Sequence, residues 1–463
     1  MVIHFIKQKQ KVAALLALSL AFLLANCAKE FDLPVTETHT EKAYVTSADG
    51  TLAVITHGHE PKHVATLNAG GSADVTAAFG HVYVNNSGAN SVTIIDANKD
   101  VVKGTTSVGV RPVHSLMVKG GNLLLVGNDG PSGSDPENDP NLVAADDTVS
   151  VIDTNPNNAT FMMEIARIRV GNGHHKLAYS DKTERAAISN LSAGTVTIID
   201  VNALSVMCTV KVGAGASPVP HGIDYSPVSG KAYNANVSGG ETEAITMIHL
   251  NAAITVPANP YKVDDPACTA LDGGGIARGT GPGQIPASGY THANHAGTFV
   301  FTVGYTAASQ TGHLSVIRTS DDTVVSVLDL PKFKPDQFVI TEDGDRIYVS
   351  SVEDENNTAT VPGTTVAVVD IDTTTGEATL HPTTPFLQAG RGHDHRAIAL
   401  SGDDARLFVP NSGADPGTVS VFDTASLALL GTFEVGEEPN ALAYVDAATL
   451  ALPEGGGGGG HSH

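Results

Sequence analysis

A short apolar segment closing on a carboxylate returns along this chain as Val92-Thr-Ile-Ile-Asp96, Val149-Ser-Val-Ile-Asp153, Val196-Thr-Ile-Ile-Asp200, Val366-Ala-Val-Val-Asp370 and Val419-Ser-Val-Phe-Asp423. Degenerate copies at Leu52–Thr56, Ile245–His249 and Leu314–Arg318 bring the number to eight, spaced by about 40 to 70 residues. β-Branched residues in runs this short suit strands, and self-similarity at this period marks an array of like units. Before each copy lies a second apolar run ending near Asn or Ser, as in His81-Val-Tyr-Val-Asn-Asn86, Arg346-Ile-Tyr-Val-Ser-Ser351 and Arg406-Leu-Phe-Val-Pro-Asn411. After each comes another, such as Leu427-Ala-Leu-Leu-Gly-Thr-Phe433. A glycine- and proline-rich turn feeding an apolar strand supplies the fourth. The pattern predicts an all-β chain of four-stranded antiparallel blades closed into a β-propeller.

A propeller that did not close would leave strand edges open. The N-terminal unit begins with Lys42-Ala-Tyr-Val-Thr46 and lacks an inner strand, and Pro439-Asn-Ala-Leu-Ala-Tyr-Val445 lies unclaimed at the far end. One blade is therefore expected to be built from both ends of the chain. Eight blades result, or seven if one degenerate unit is an insertion. Three long excursions, Asn128–Asp147, Asn251–Gly289 and Val352–Thr365, interrupt the repeats. Read as second-to-third or fourth-to-first connections, they all fall on the face where the inner strands begin.

The phrase Tyr83-Val-Asn-Asn-Ser-Gly88 followed by Val92-Thr-Ile-Ile-Asp96 resembles the YVTN or YncE-like β-propeller repeat, and the likeness runs from residue 43 to about 450. That resemblance implies the fold and leaves the activity open, because propellers host many chemistries.

Flanking the ring, residues 1–26 combine a lysine-bearing start with an apolar run from Val12 to Ala25, the form of an export signal. Leu24-Ala-Asn-Cys27 resembles a bacterial lipobox with Cys27 as the lipidated first mature residue, although Asn26 departs from the usual small residue. An ordinary cleaved signal is the alternative. Residues 27–42 read as a linker, 43–453 as the propeller, and 454–463 as a flexible glycine and histidine tail. An exported chain left with Cys208 and Cys268 is expected to oxidise them to a disulfide. Without a C-x-x-C-H there is no covalent haem site. A net charge of −23 argues against nucleic acid and toward cations or basic partners. A monomer of the bacterial periplasm, touching the membrane only through a lipid, is the expected state.

Candidate chemistry lies in the turn before each inner strand. Val108-Gly-Val-Arg-Pro-Val-His114, Val170-Gly-Asn-Gly-His174-His175, Val212-Gly-Ala-Gly-Ala-Ser-Pro-Val-Pro-His221 and Ala389-Gly-Arg-Gly-His393-Asp-His395 carry a histidine at the same structural moment, with a looser copy at His292 and His295. Inner strands line the central channel. The reading therefore gathers His114, His174, His175, His221, His292, His295, His393 and His395 at one mouth, where neutral imidazoles suit Zn2+, with copper as the alternative. A lone histidine in a turn more often serves a hydrogen bond; recurrence is what favours a metal. A second compact group, His57, His59, Glu60 and His63, falls on the opposite face and reads as either a metal site or a solvated turn. The strand-ending aspartates read as turn-stabilising. No nucleophile–base pairing or phosphate loop occurs, so no enzyme is expected. The histidines on an exported propeller resemble periplasmic zinc metallochaperones, which hand zinc to the solute-binding protein of an ABC metal importer. The alternatives are a copper metalloenzyme in the manner of nitrous oxide reductase, whose second copper domain is missing here, and a metal-free adhesion or scaffold propeller.

Overall fold

The computed structural model describes residues 41–70, 73–130, 147–173, 176–213, 219–237, 242–263, 265–393, 396–413, 415–446 and 449. The export signal with Cys27, most of the linker, the C-terminal tail, and His174, His175 and His395 lie outside the described residues. Eight antiparallel sheets are present, in the sequence-adjacent order expected of a propeller. Blade 1 joins Pro439–Val445 to Lys42–Ser47, Thr51–Thr56 and His63–Asn68. The register runs Lys42 opposite Val445 to Ser47 opposite Pro439, so the ring is closed by both ends of the chain and the count is eight rather than seven. The inner strands of blades 2 to 8 are Asp74–Ala78, Pro112–Val118, Leu177–Ser180, Pro220–Ser226, Tyr290–Ala293, Lys334–Ile340 and Ala399–Leu400. Only blade 7 departs from four strands, its outer edge being split into Ala378–Leu380 and Phe386–Gln388.

Burial explains the hydrophobic pattern. The second and third strands of each blade pack against a neighbour on both faces, so His81–Asn86 is buried throughout and Ser91–Asp96 nearly so. Outer strands such as His63–Asn68 and Leu429–Glu434 expose every other side chain or more. The apolar clusters straddle blade boundaries. One joins Phe301 and Leu314 of blade 6 to Phe338, Ile347 and Val369 of blade 7.

Two repeated residues turn out to be fasteners. The Asn that closes the second strand in five of the blades is buried, and its Nδ2 donates to hydroxyls of the third strand: Asn86 to Ser91 and Thr93, Asn190 to Thr195 and Thr197, Asn411 to Thr418 and Ser420. The recurring glycine before an inner strand lies against that amide. A Cβ on Gly109, Gly171 or Gly390 would stand 2.6–2.7 Å from the side chain of Asn128, Asn190 or Asn411. The repeated tyrosine reaches into the next blade. Tyr44 donates to Asp100 at 2.5 Å and Tyr233 to Asp322 at 2.7 Å, each beside a lysine two residues earlier that pairs with the same carboxylate. The strand-ending aspartates mostly behave as expected, Asp96 and Asp200 accepting from the amides of Asn98 and Asn202.

One excursion departs from the sequence reading. Asn251–Gly289 contains blade 5's own outer strand, Asp272–Ala277, so its first part is a third-to-fourth connection and leaves from the other face. A proline-rich stretch and the 3₁₀ helix Pro266–Leu271 fill it, with too little periodicity to advertise a strand. This strap crosses onto blade 4, where Thr209 donates its hydroxyl to the Pro260 carbonyl and the Cys208–Cys268 disulfide binds the two.

Candidate functional site

Inner strands begin with a repeated irregularity. Pro112, Pro220, Pro335 and Pro439 each face a residue at the end of the neighbouring second strand or one short of it, Asn128, Asn236, Ser351 and Ser47. Proline is tolerated there because an inner strand is a sheet edge with one side free of ladder bonds. The register then slips, so two inner-strand residues oppose one on the partner. Such bulges re-aim side chains. The bulged pairs are Val113-His114, His221-Gly222, Asp336-Gln337 and Asn440-Ala441. Lys176 and Tyr290 occupy the same position as Gln337, because each offers its carbonyl to a second-strand hydroxyl in the same way, from Ser189, Thr302 and Ser350 respectively. Counting back along the ladders places Asp74 and Arg396 at the corresponding level of blades 2 and 8. Going round the ring, the mouth therefore presents Asn440, Asp74, His114, Lys176, His221, Tyr290, Asp336 and Arg396, one polar residue per blade.

Neighbouring blades are stitched together at this ring. Asp74 accepts from the amide and hydroxyl of Ser115 at 2.8 and 3.2 Å, and Asp336 accepts from the Arg396 amide at 2.5 Å. Deeper along the channel Asp224 accepts from the Ala293 and Tyr225 amides, both at 2.7 Å. Enclosure by protein raises the carboxyl of Asp74, against the pull of Lys176, and pushes Asp224 up to about 6. The same enclosure lowers the Lys176 ammonium, with Asp74 and Asp336 opposing. Arg396 is fully buried, and all five of its N–H groups are used, on the carbonyls of Ser351, Gly363, Gly390 and Pro410 and on Asn411 Oδ1. Burial holds its guanidinium down to about 10.

The predicted histidines divide among levels. His114 and His221 are at the mouth ring, half-buried. His114 directs Nδ1 toward Asp74 at 3.9 Å, and His221 packs edge-on against Tyr290 with ring centres 4.7 Å apart. His292 lies deeper, its Nδ1 3.9 Å from Asp224 and its ring against Phe338. His295 follows the end of its inner strand Tyr290–Ala293, so it stands at the opposite mouth, paired with Glu342. His393 precedes the ring and sends Nδ1 to the buried Glu353 at 2.7 Å. The eight thus do not share one mouth: strand periodicity puts His292 and His295 successively further down the channel. Among the described residues, no three His, Cys, Asp or Glu side chains stand close enough together to hold a metal ion.

The second group is where the sequence put it, in the turn between the third and fourth strands of blade 1. Its members face apart. His57 lies between Glu41 at 3.5 Å and Asp403 at 3.2 Å, whereas His63 folds back onto Ala65 and Thr66 of its own strand. His59 and Glu60 are exposed. Sequence reasoning missed Asp74, Asp224, Asp336, Lys176 and Arg396. The usable signal was a charged residue inside an apolar inner strand, or directly after its opening proline.

Searched by sequence, the chain matches no family model and no curated protein. Its fold is similar to solved structures. Apo AztD from Citrobacter koseri aligns with a TM-score of 0.54 at 14% identity, over 88% of this chain and 98% of that one. A protein described as a putative 6-phosphogluconolactonase from Bacteroides fragilis gives 0.54 and 14%, over 89% and 99%. Kuenenia stuttgartiensis hydrazine synthase gives 0.52 and 17%, over 79% and 98%. At identities this low the likeness shows a shared β-propeller architecture alone.

Proposed function

We propose that this chain is an exported binding protein for a divalent transition metal, zinc first, which it takes up at the inner-strand mouth of the channel and passes to a transport partner. The observation that carries the reading is the mouth ring itself. His114 and His221 stand on bulges in it, with Asp74 on the blade beside His114 and Asp336 two blades beyond His221. Lys176 and Arg396 of the same ring are preceded in the chain by His175 and His395, two further candidate donors read from the sequence. Borderline metals favour neutral imidazole, and a carboxylate facing Nδ1 is the arrangement that orients a ligating ring and leaves Nε2 for the metal. His114, His292 and His393 each direct Nδ1 toward a carboxylate. The acidic surface would raise the local concentration of cations. The likeness to AztD supports the same reading at the level of fold. A solute-binding protein of an ABC metal importer is the matching class of acceptor.

The test is metal titration of stripped protein made without an affinity tag. One or two equivalents of zinc should bind, without colour. The double variant His114→Ala with His221→Ala should lose at least tenfold in affinity while keeping its β-sheet circular dichroism. Unchanged binding in that variant would remove the mouth ring from consideration. A metal-free scaffold is the competing reading, favoured by the absence of three gathered ligands among the described residues. No stoichiometric uptake would decide for it, and intense colour with redox activity would point to copper.

A further inference from the structure

One group in the mouth ring does not belong in a site built only to hold a cation. Lys176 extends into the channel, and its Nζ makes no hydrogen bond among the described residues. It lies 5.3 Å from the centre of the Tyr290 ring, the ring against which His221 packs at 4.7 Å. On the other side of it is blade 3, whose His114 holds the same level. The carboxylates whose field reaches it are Asp74 and Asp336, in blades 2 and 7. An ammonium thus stands over the ring that His221 packs against, on the blade between those of the two mouth histidines, within the field of the two carboxylates that a bound metal would face.

We propose that Lys176 is a built-in competitor for the metal, a tethered cation that occupies the mouth when it is empty and repels the divalent ion when it is filled, so that the site exchanges its cargo instead of storing it. The inference rests on the metal-binding reading above. Its physical basis is ordinary. Two like charges on the order of 10 Å apart in a partly enclosed space repel enough to change an affinity roughly tenfold or more. The lysine also satisfies Asp74 and Asp336 electrostatically without metal, which removes part of the attraction that would otherwise draw one in. Neither carboxylate depends on it for its position, since the amides of Ser115 and Arg396 hold them. The side chain can therefore be neutralised without dismantling the ring. A protein whose task is delivery needs weak holding as much as selective binding, and a fixed opposing charge supplies it.

The experiment compares the full chain with Lys176→Met, which keeps the length and removes the charge, and Lys176→Arg, which keeps the charge. Zinc affinity is measured by competition with a chromogenic chelator, and release by the rate of transfer to excess chelator, at one ionic strength. Lys176→Met should bind zinc at least tenfold more tightly and release it correspondingly more slowly, with Lys176→Arg within about threefold of the parent. A Lys176→Met protein that binds no tighter than the parent overturns the lysine's role and leaves the metal site standing. A parent that takes up no zinc overturns both. If Lys176→Met proves poorly folded, Lys176→Gln provides the same neutralisation with a polar end and is judged by the same criterion.

Discussion

At the residue scale, the mouth ring mixes groups that organise the fold with groups proposed above to face a metal. Arg396 is of the first kind. Its five donors tie the connection between blades 7 and 8 to the excursion at Gly363, and its amide anchors Asp336. Replacing it by Met leaves four buried carbonyls and the Asn411 amide oxygen without their donor, a loss of about 3–5 kcal/mol. Chemical denaturation should show the drop in midpoint, and a change below about 1 kcal/mol would mean that water takes over those acceptors. Asp224, deeper in the channel than the ring, titrates in an accessible range. Because burial pushes its carboxyl up from 3.8 to about 6, the folded chain holds that proton more tightly than the unfolded chain does. Its contribution to stability therefore declines as pH rises from about 4 to about 6 and is constant beyond. Asp224→Asn escapes this decline while keeping an acceptor for one of the two amides. Its thermal midpoint should gain on that of the parent between pH 4.5 and pH 7, and parallel curves would contradict the assignment.

At the scale of elements, the inner strand and its bulge matter most for function, and the strap over blade 4 matters most for stability. The strap makes few regular backbone contacts, an isolated bridge from Thr209 to Val263 being one, and the disulfide closes 60 residues of chain. Restricting a loop of that length in the unfolded state is worth about 4 kcal/mol in the chain-entropy description. Reduction, or Cys208→Ser with Cys268→Ser, should lower the unfolding midpoint by an amount of that order. Limited proteolysis should then cut first within residues 251–271. Cleavage starting elsewhere would show that the strap is held by its other contacts.

At the scale of the molecule, the ring brings together side chains that are distant in sequence, and the same closure enforces cooperativity. Zinc bound through imidazoles should leave as these protonate, so retention measured by dialysis ought to collapse below about pH 6.5. Retention down to pH 4 would point to a carboxylate site instead. With a net charge of −23, the proposed uptake of a cation should weaken as salt rises, because an acidic surface concentrates counter-ions only within the screening length.

How much of this could be read from the chain differs by level. The β-class, most of the strands, the number of blades and the closing of blade 1 were legible, because each follows from local alternation and from repetition, which survive in one dimension; Asp272–Ala277, lacking that alternation, was not. The Cys208–Cys268 pairing was legible for a simpler reason, these being the only two cysteines outside residues 1–27. The histidines were visible as a recurring feature, yet their levels were not. A shift of one residue on a strand turns a side chain to the other face, and two or three residues move it down the channel, so His114, His292 and His295 part company once the ladders are fixed. The bulges that aim the mouth residues, and the meeting of Lys176 with Tyr290, His221 and two carboxylates from other blades, exist only after the ring has closed. Short-range patterning of apolar residues dictated which strands form. The juxtaposition of charge around the axis came from tertiary structure alone, since it depends on distances across the channel that no sequence separation encodes.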